Sequence, residues 1–126
     1  MHNFTINYLS EKNLDQVHAA CIYAFKELDF NIEEVDYSND GENYFFEVEK
    51  REYSWFKDLF IKIHITELDD KKKLTINVEI DRPAIVWHFT NECKRWANDF
   101  INFFKERESS YLNEKEQEKI YELHLE

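Results

Sequence analysis

At 126 residues the chain is long enough for one domain to bury a core without disulfides or metal staples, and two domains would be a squeeze. Hydrophobic residues make up 43% of it and aromatic residues 17%, which excludes intrinsic disorder despite the heavy charge. A formal net charge of -11 argues against duplex DNA and anionic membranes as direct partners, because phosphate backbones are bound by clustered Lys and Arg, and it favours a basic protein partner.

Glycine and proline occur once each, at Gly41 and Pro83, so the chain holds neither a flexible linker nor a glycine-rich phosphate cradle, and no cofactor is expected. Cys21 and Cys93 lack CxxC spacing, and no N-terminal apolar stretch resembles a signal peptide or a membrane span. A cytoplasmic protein is expected.

In chain order, Ser10 to Leu28 predicts an amphipathic helix, with Leu14, Val17, His18, Cys21, Ile22, Phe25 and Leu28 at helical spacing and Ser10 or Asn13 as cap. Asn31 to Ser38 predicts a first strand, with a bulge near Glu34 to reconcile Ile32, Val35 and Tyr37 on one face. Asn39-Asp40-Gly41 supplies a tight turn, because Asp-Gly tolerates the positive φ angles a hairpin needs. The strand that follows alternates Tyr44, Phe46 and Val48 with Phe45, Glu47 and Glu49. Leu59, Ile61, Ile63 and Ile65 mark a third strand; Leu74, Ile76, Val78 and Ile80 mark a fourth. The polar turn Asp69-Asp70-Lys71 pairs those two as an antiparallel hairpin. Pro83 ends the fourth strand, and a second helix carries Phe89, Cys93, Trp96, Ala97, Phe100, Ile101 and Phe104 on one stripe.

Together these elements predict an α+β fold in the order α-β-β-β-β-α, with both helices packed on one face of a four-stranded antiparallel sheet and the other face open. Residues 1–112 form the single domain, and 113–126 a charged C-terminal tail or short helix whose apolar edge is Ile120, Leu123 and Leu125.

The acidity is concentrated. Between Lys26 and Lys50 lie Glu27, Asp29, Glu33, Glu34, Asp36, Asp40, Glu42, Glu47 and Glu49 without one basic residue. Aromatic residues accompany them: Phe45 and Phe60 should project from the open face, near His64, while Tyr53, Trp55 and Phe56 occupy the following connection. Aromatic side chains within a charged rim are what protein interfaces use, so Glu33, Glu34, Asp36, Phe45, Glu47, Glu49, Tyr53, Trp55, Phe56, Phe60 and His64 form the candidate partner-binding surface.

Other chemistries are weaker fits. Asp36, Ser38, Asp40, Glu42 and Glu47 match the D-x-S-x-D-G-x5-E spacing of a calcium loop, but the flanks read as strands where helices are required, and the hairpin explains Asp40-Gly41 without metal. His18, Cys21, His88 and Cys93 read as packing rather than as a zinc site, because both cysteines fall on core stripes. His64 has no evident Ser or Cys nucleophile to activate, and no catalytic constellation is assigned.

The expected function is therefore a small, non-enzymatic protein-interaction module, such as an inhibitor or immunity protein or a nucleic-acid mimic, that meets a basic partner through its acidic sheet face. The helix, strands, helix outline is loosely similar to that of small bacterial secretion chaperones, and that resemblance implies an acidic homodimeric chaperone as an alternative. A small-molecule binder using a cavity between sheet and helices, or a single calcium loop protein, are further alternatives.

Overall fold

The computed structural model describes residues 2–54, 57–81 and 89–111. Strand β1 (His2–Ser10) leads into helix α1 (Leu14–Glu27), a 3-10 turn (Ile32–Glu34) and strand β2 (Asp36–Asn39). Strands β3 (Asn43–Ser54), β4 (Lys57–Leu68) and β5 (Lys71–Asp81) follow, and helix α2 (Phe89–Glu108) closes the fold. The expected α+β class, antiparallel sheet and two helices are all present. The sheet has five strands, however, in the spatial order β1-β5-β4-β3-β2, and a strand precedes the first helix.

The extra strand is the stretch before Ser10. Phe4, Ile6 and Tyr8 alternate with Asn3, Thr5 and Asn7, which is strand periodicity written with a residue type that strands disfavour. Pairing with β5 overrides that preference: Phe4 lies opposite Val78, Ile6 opposite Ile76 and Tyr8 opposite Leu74. On the outer face, Thr75 donates to Asn7 Oδ1 at 2.9 Å and Asn77 to Thr5 Oγ1 at 2.8 Å, so the asparagines are used in cross-strand hydrogen bonds.

The centre of the sheet follows its alternation. Leu59, Ile61, Ile63 and Ile65 of β4 face Ile80, Val78, Ile76 and Leu74 of β5 in register, and all are buried. The helices cover this face with Val17, Ala20, Cys21, Ala24 and Phe25 from α1 and Cys93, Ala97, Phe100, Ile101 and Phe104 from α2. Burial pushes the Cys21 thiol pKa up, and burial followed by Glu92 pushes Cys93 up to about 11, so both are inert core thiols rather than nucleophiles.

Helix α1 starts one turn inside its expected limit. Asn13 is the cap, its Oδ1 accepting from the Gln16 backbone N–H at 2.9 Å while the Gln16 side chain accepts from the Asn13 N–H. Ser10 is instead a buried strand terminus. The helix ends in a Schellman arrangement: Asp29 takes a left-handed φ of 66°, Phe30 N–H bonds the Phe25 carbonyl at 3.0 Å, and the two phenyl rings meet edge to face at 6.0 Å.

The strand expected over 31–38 is only partly formed. Ile32–Glu34 is a 3-10 turn capped by Asn31, where no bulge exists, and β2 begins at Asp36. A 3-10 turn places Ile32 and Val35, three apart, on one side, and both pack against the core, which is why no period of two accommodates them. Strand β5 ends at Asp81; Pro83 and the tail 113–126 lie outside the described residues. No described helix is long and apolar enough to cross a membrane.

The end of α2 is fastened to the end of β1 through one carboxylate. Glu108 accepts from the Tyr8 hydroxyl at 2.5 Å and from the Ser10 hydroxyl, while Lys12 Nζ donates to the Tyr111 carbonyl at 2.6 Å. Burial and the bond to Glu108 raise the Tyr8 phenol well above its ordinary range, keeping it a donor at every physiological pH. Ser10 is buried and its oxygen accepts from the Lys12 N–H at 3.2 Å, so removing Glu108 leaves the hydroxyl's own proton without an acceptor. Glu108→Ala should destabilise the fold by about 2 kcal/mol. Urea unfolding monitored by tryptophan fluorescence measures this, and a shift in midpoint with unchanged slope is expected.

Candidate partner-binding groove

The sheet face away from the helices divides by chemistry. Its β1–β5 half carries Thr5, Asn7, Thr75 and Asn77 with Glu79 at one end, and its β2–β3 half carries Asp36, Glu47 and Glu49. Register places Asp36 opposite Glu47, Glu47 opposite Lys62 and Glu49 opposite Phe60. Lys62 reaches across to Glu79 at 3.4 Å, a partly exposed pair of small energetic weight.

The hairpin that aligns Asp36 with Glu47 depends on Asp40 and Gly41. Asp40 Oδ1 accepts from the Asn43 N–H at 2.9 Å and the Glu42 N–H at 3.3 Å, and these bonds, that from Asn43 first, hold its carboxyl below the usual carboxylate range. Gly41 has φ 101°, in the region that disfavours side chains. Asp40 is thus occupied in shaping the turn, and the match to a calcium loop is a two-stranded ladder with Asp36 and Glu47 facing each other at the far end. Among the described residues no group of three or more His, Cys, Asp or Glu side chains converges as a metal site requires.

Strand β2 pairs with β3 only from Tyr44 to Glu47, whereas β3 continues to Ser54. Where β2 stops, the chain retreats through the 3-10 turn toward Phe30 at the helix terminus. A groove of about 650 Å³ opens in the space left, lined by Asp29, Glu34, Asp36, Glu47 and Glu49, by Phe30, Val48 and Phe60, and by Asn31, Lys50 and Lys62. Lys50 places its ammonium 5.5 Å from the centre of the Phe30 ring, so the wall already accommodates one cation over an aromatic face.

Of the residues expected on the partner-binding surface, Glu34, Asp36, Glu47, Glu49 and Phe60 are brought together in this groove. Phe45 and His64 share the same sheet face two residues further along their strands; their rings stack at 4.6 Å and 12°, and His64 Nε2 lies 2.8 Å from Asn43 Oδ1 and 3.2 Å from Thr66 Oγ1. Those neighbours fix the imidazole between an amide oxygen and the Thr66 hydroxyl, whose proton Asn43 Oδ1 can also accept at 3.4 Å. Glu33 is exposed on the 3-10 turn, outside the lining. The side chain of Tyr53 and all of Trp55 and Phe56 lie outside what the structure describes, as does His88. Asp29, Phe30, Asn31, Val48, Lys50 and Lys62 were not expected at the site. An acid-flanked phenylalanine immediately after a helical stripe is the one local sign that the helix end contributes a wall.

The overall structure is similar to the crystal structure of Ara h 8.0201, with a TM-score of 0.56 at 12% identity over 86% of this chain and 96% of that one. The solution structure of the 18 kDa protein CC1736 from Caulobacter crescentus matches with a TM-score of 0.46 at 12% identity over 87% of this chain and 97% of that one. No protein-family model matches the chain, and no curated protein matches it in sequence. The likeness to Ara h 8.0201 is one of fold.

Because the groove's acids are aligned by the hairpin, the turn can be tested apart from them. A Cβ built on Gly41 meets nothing within 4 Å, so Gly41→Ala costs only backbone strain, about 1–2 kcal/mol. Thermal unfolding should show that loss, while the amide chemical shifts of β4 and β5 stay at their wild-type values.

Proposed function

We propose that the protein is a non-enzymatic interaction module that binds a basic protein partner in the groove between the 3-10 turn and β3. The observation that carries this reading is the composition of the groove among the described residues: five carboxylates around three apolar side chains, with two lysines beside them. One of those lysines is held over Phe30 and the other is paired with Glu79.

Physical chemistry favours a lysine- or arginine-bearing occupant. Carboxylates steer such a partner by long-range attraction, and the half-buried Phe60 ring gives its aliphatic stems a surface to lie on. An inhibitor, immunity protein or nucleic-acid mimic works in this way, by occupying a cationic site that otherwise holds phosphates. Supporting the non-enzymatic reading, both thiols are core residues.

The test is fluorescence anisotropy with a labelled arginine- and lysine-rich peptide and, beside it, a size-matched acidic one. The basic peptide should bind, with affinity falling steeply as salt is raised. The double reversal Asp36→Lys, Glu47→Lys should weaken it at least roughly tenfold, the equivalent of about 1.4 kcal/mol. Reversal of Asp70, on the β4–β5 turn, should leave it nearly unchanged. Binding that ignores salt, or that survives the double reversal, would remove the proposal.

A further inference from the structure

At the margin of the core, the half-buried His18 carries the one buried side-chain polar atom among the described residues that has no hydrogen-bond partner. His18 projects from the middle of α1, and its Nε2 is shut off from solvent without a hydrogen bond. Around the imidazole stand three rings at steep angles: Tyr37 of β2 at 5.3 Å, Tyr44 of β3 at 5.5 Å and Phe46 of β3 at 5.2 Å. Tyr37 also packs on Phe46 at 5.1 Å. The cluster is the place where α1 meets the β2–β3 hairpin.

Strand β2 has few other attachments. All four of its residues are exposed, and its pairing with β3 covers only Asp36–Asn39. An edge strand this short depends on what its side chains touch, and Tyr37 is the one that reaches the α1 imidazole. We propose that His18 is a proton-operated pin: as the neutral imidazole it holds β2 against α1, and on taking up a proton it releases that strand.

The reason lies in what the charged form would need. An imidazolium carries N–H donors on both ring nitrogens, and here Nε2 has no acceptor. On α1 itself, Asp15 stands one turn earlier and favours the charged form; the opposing burial is the larger effect and holds the pKa below the ordinary 6.5. The titratable groups facing His18 from β2 and β3 are phenols. Tyr37 accepts from Asn39 at 3.4 Å, and the Tyr44 hydroxyl lies 3.2 Å from both the Gly41 carbonyl oxygen and a Glu67 carboxylate oxygen. Neither presents a carboxylate to the ring.

The sign follows directly. A histidine whose folded pKa is depressed leaves the native state binding fewer protons than the unfolded one, so stability is full above pH 6.5 and declines as pH falls from there through the folded pKa. The decline should be local first, because the pinned strand is the shortest of the five and is paired over only four residues. Asp36 sits on β2 and lines the groove, so release of β2 also dismantles that wall. This last consequence rests on the partner-binding reading; the release itself does not.

Proton and nitrogen NMR on the full chain between pH 7.5 and 5 is the test. His18 should titrate below its ordinary value, and amide-exchange protection of β2 should fall at least tenfold over the same range while that of β4 and β5 holds. In His18→Phe, β2 protection should lose its pH dependence. A His18 that titrates at or above its ordinary value, or β2 protection that stays constant while His18 titrates, overturns the pin even if the variant fails to fold. Loss of β2 protection with undiminished binding of the basic peptide would confirm the pin and count against the groove.

Discussion

The aliphatic seam between β4 and β5 is the constraint from which the rest of the architecture descends. In register, Leu59 faces Ile80, Ile61 faces Val78, Ile63 faces Ile76 and Ile65 faces Leu74. Each such side chain removed from water stabilises the fold by about 1.5–3 kcal/mol, and all point to the same side. Strict alternation then forces every intervening residue to the other side, where Phe60, Lys62, His64, Thr75, Asn77 and Glu79 stand. Two helices on one face and a mixed polar surface on the other are a single consequence of this pattern. The helices meet it with small residues, Ala20, Cys21, Ala24, Cys93 and Ala97, interspersed with Phe25, Phe100 and Phe104, so that the large rings fill the spaces the small residues leave.

Where local pattern and tertiary demand agreed, the elements were legible in the chain. The two central strands, the Asp40-Gly41 hairpin and the stripe of α2 are of this kind. Strand β1 shows the converse. Its alternation of Phe4, Ile6 and Tyr8 is as regular as that of β4, yet asparagine at the intervening positions hides it, and only the hydrogen bonds with β5 reveal what those side chains are for. Ser10 resembled a helix cap because caps and buried hydroxyls use the same residue; what decides its role is Glu108, nearly a hundred positions away.

The candidate site divides in the same way. Its charge was visible, because a run of acids without bases needs no folding to be seen. Its shape was not. The groove exists because β2 starts only at Asp36 and because the helix terminus at Asp29 and Phe30 returns the chain beside β3; the first depends on a 3-10 turn in a stretch whose sequence predicts a bulged strand from Asn31, the second on a left-handed residue just before it. The aromatic component changed accordingly: Phe60 is joined by Phe30 from the helix end, while Phe45 stacks on His64 further along the same face.

Placing acids at this edge has a physical use that does not depend on any partner. β3 runs on past Asp36, the first residue of β2, without a further strand partner on that side among the described residues, and a strand with an open side is a template for pairing with another chain. A second copy of this protein would bring the same carboxylates against Asp36, Glu47 and Glu49, and like charges at close range cost several kcal/mol by the usual scale of such juxtapositions. The repulsion opposes strand pairing between two copies along this edge. It acts in the opposite sense on a chain rich in lysine and arginine. One arrangement of charge therefore guards an edge that the short β2 leaves uncovered and, in the reading proposed here, selects what is admitted to it.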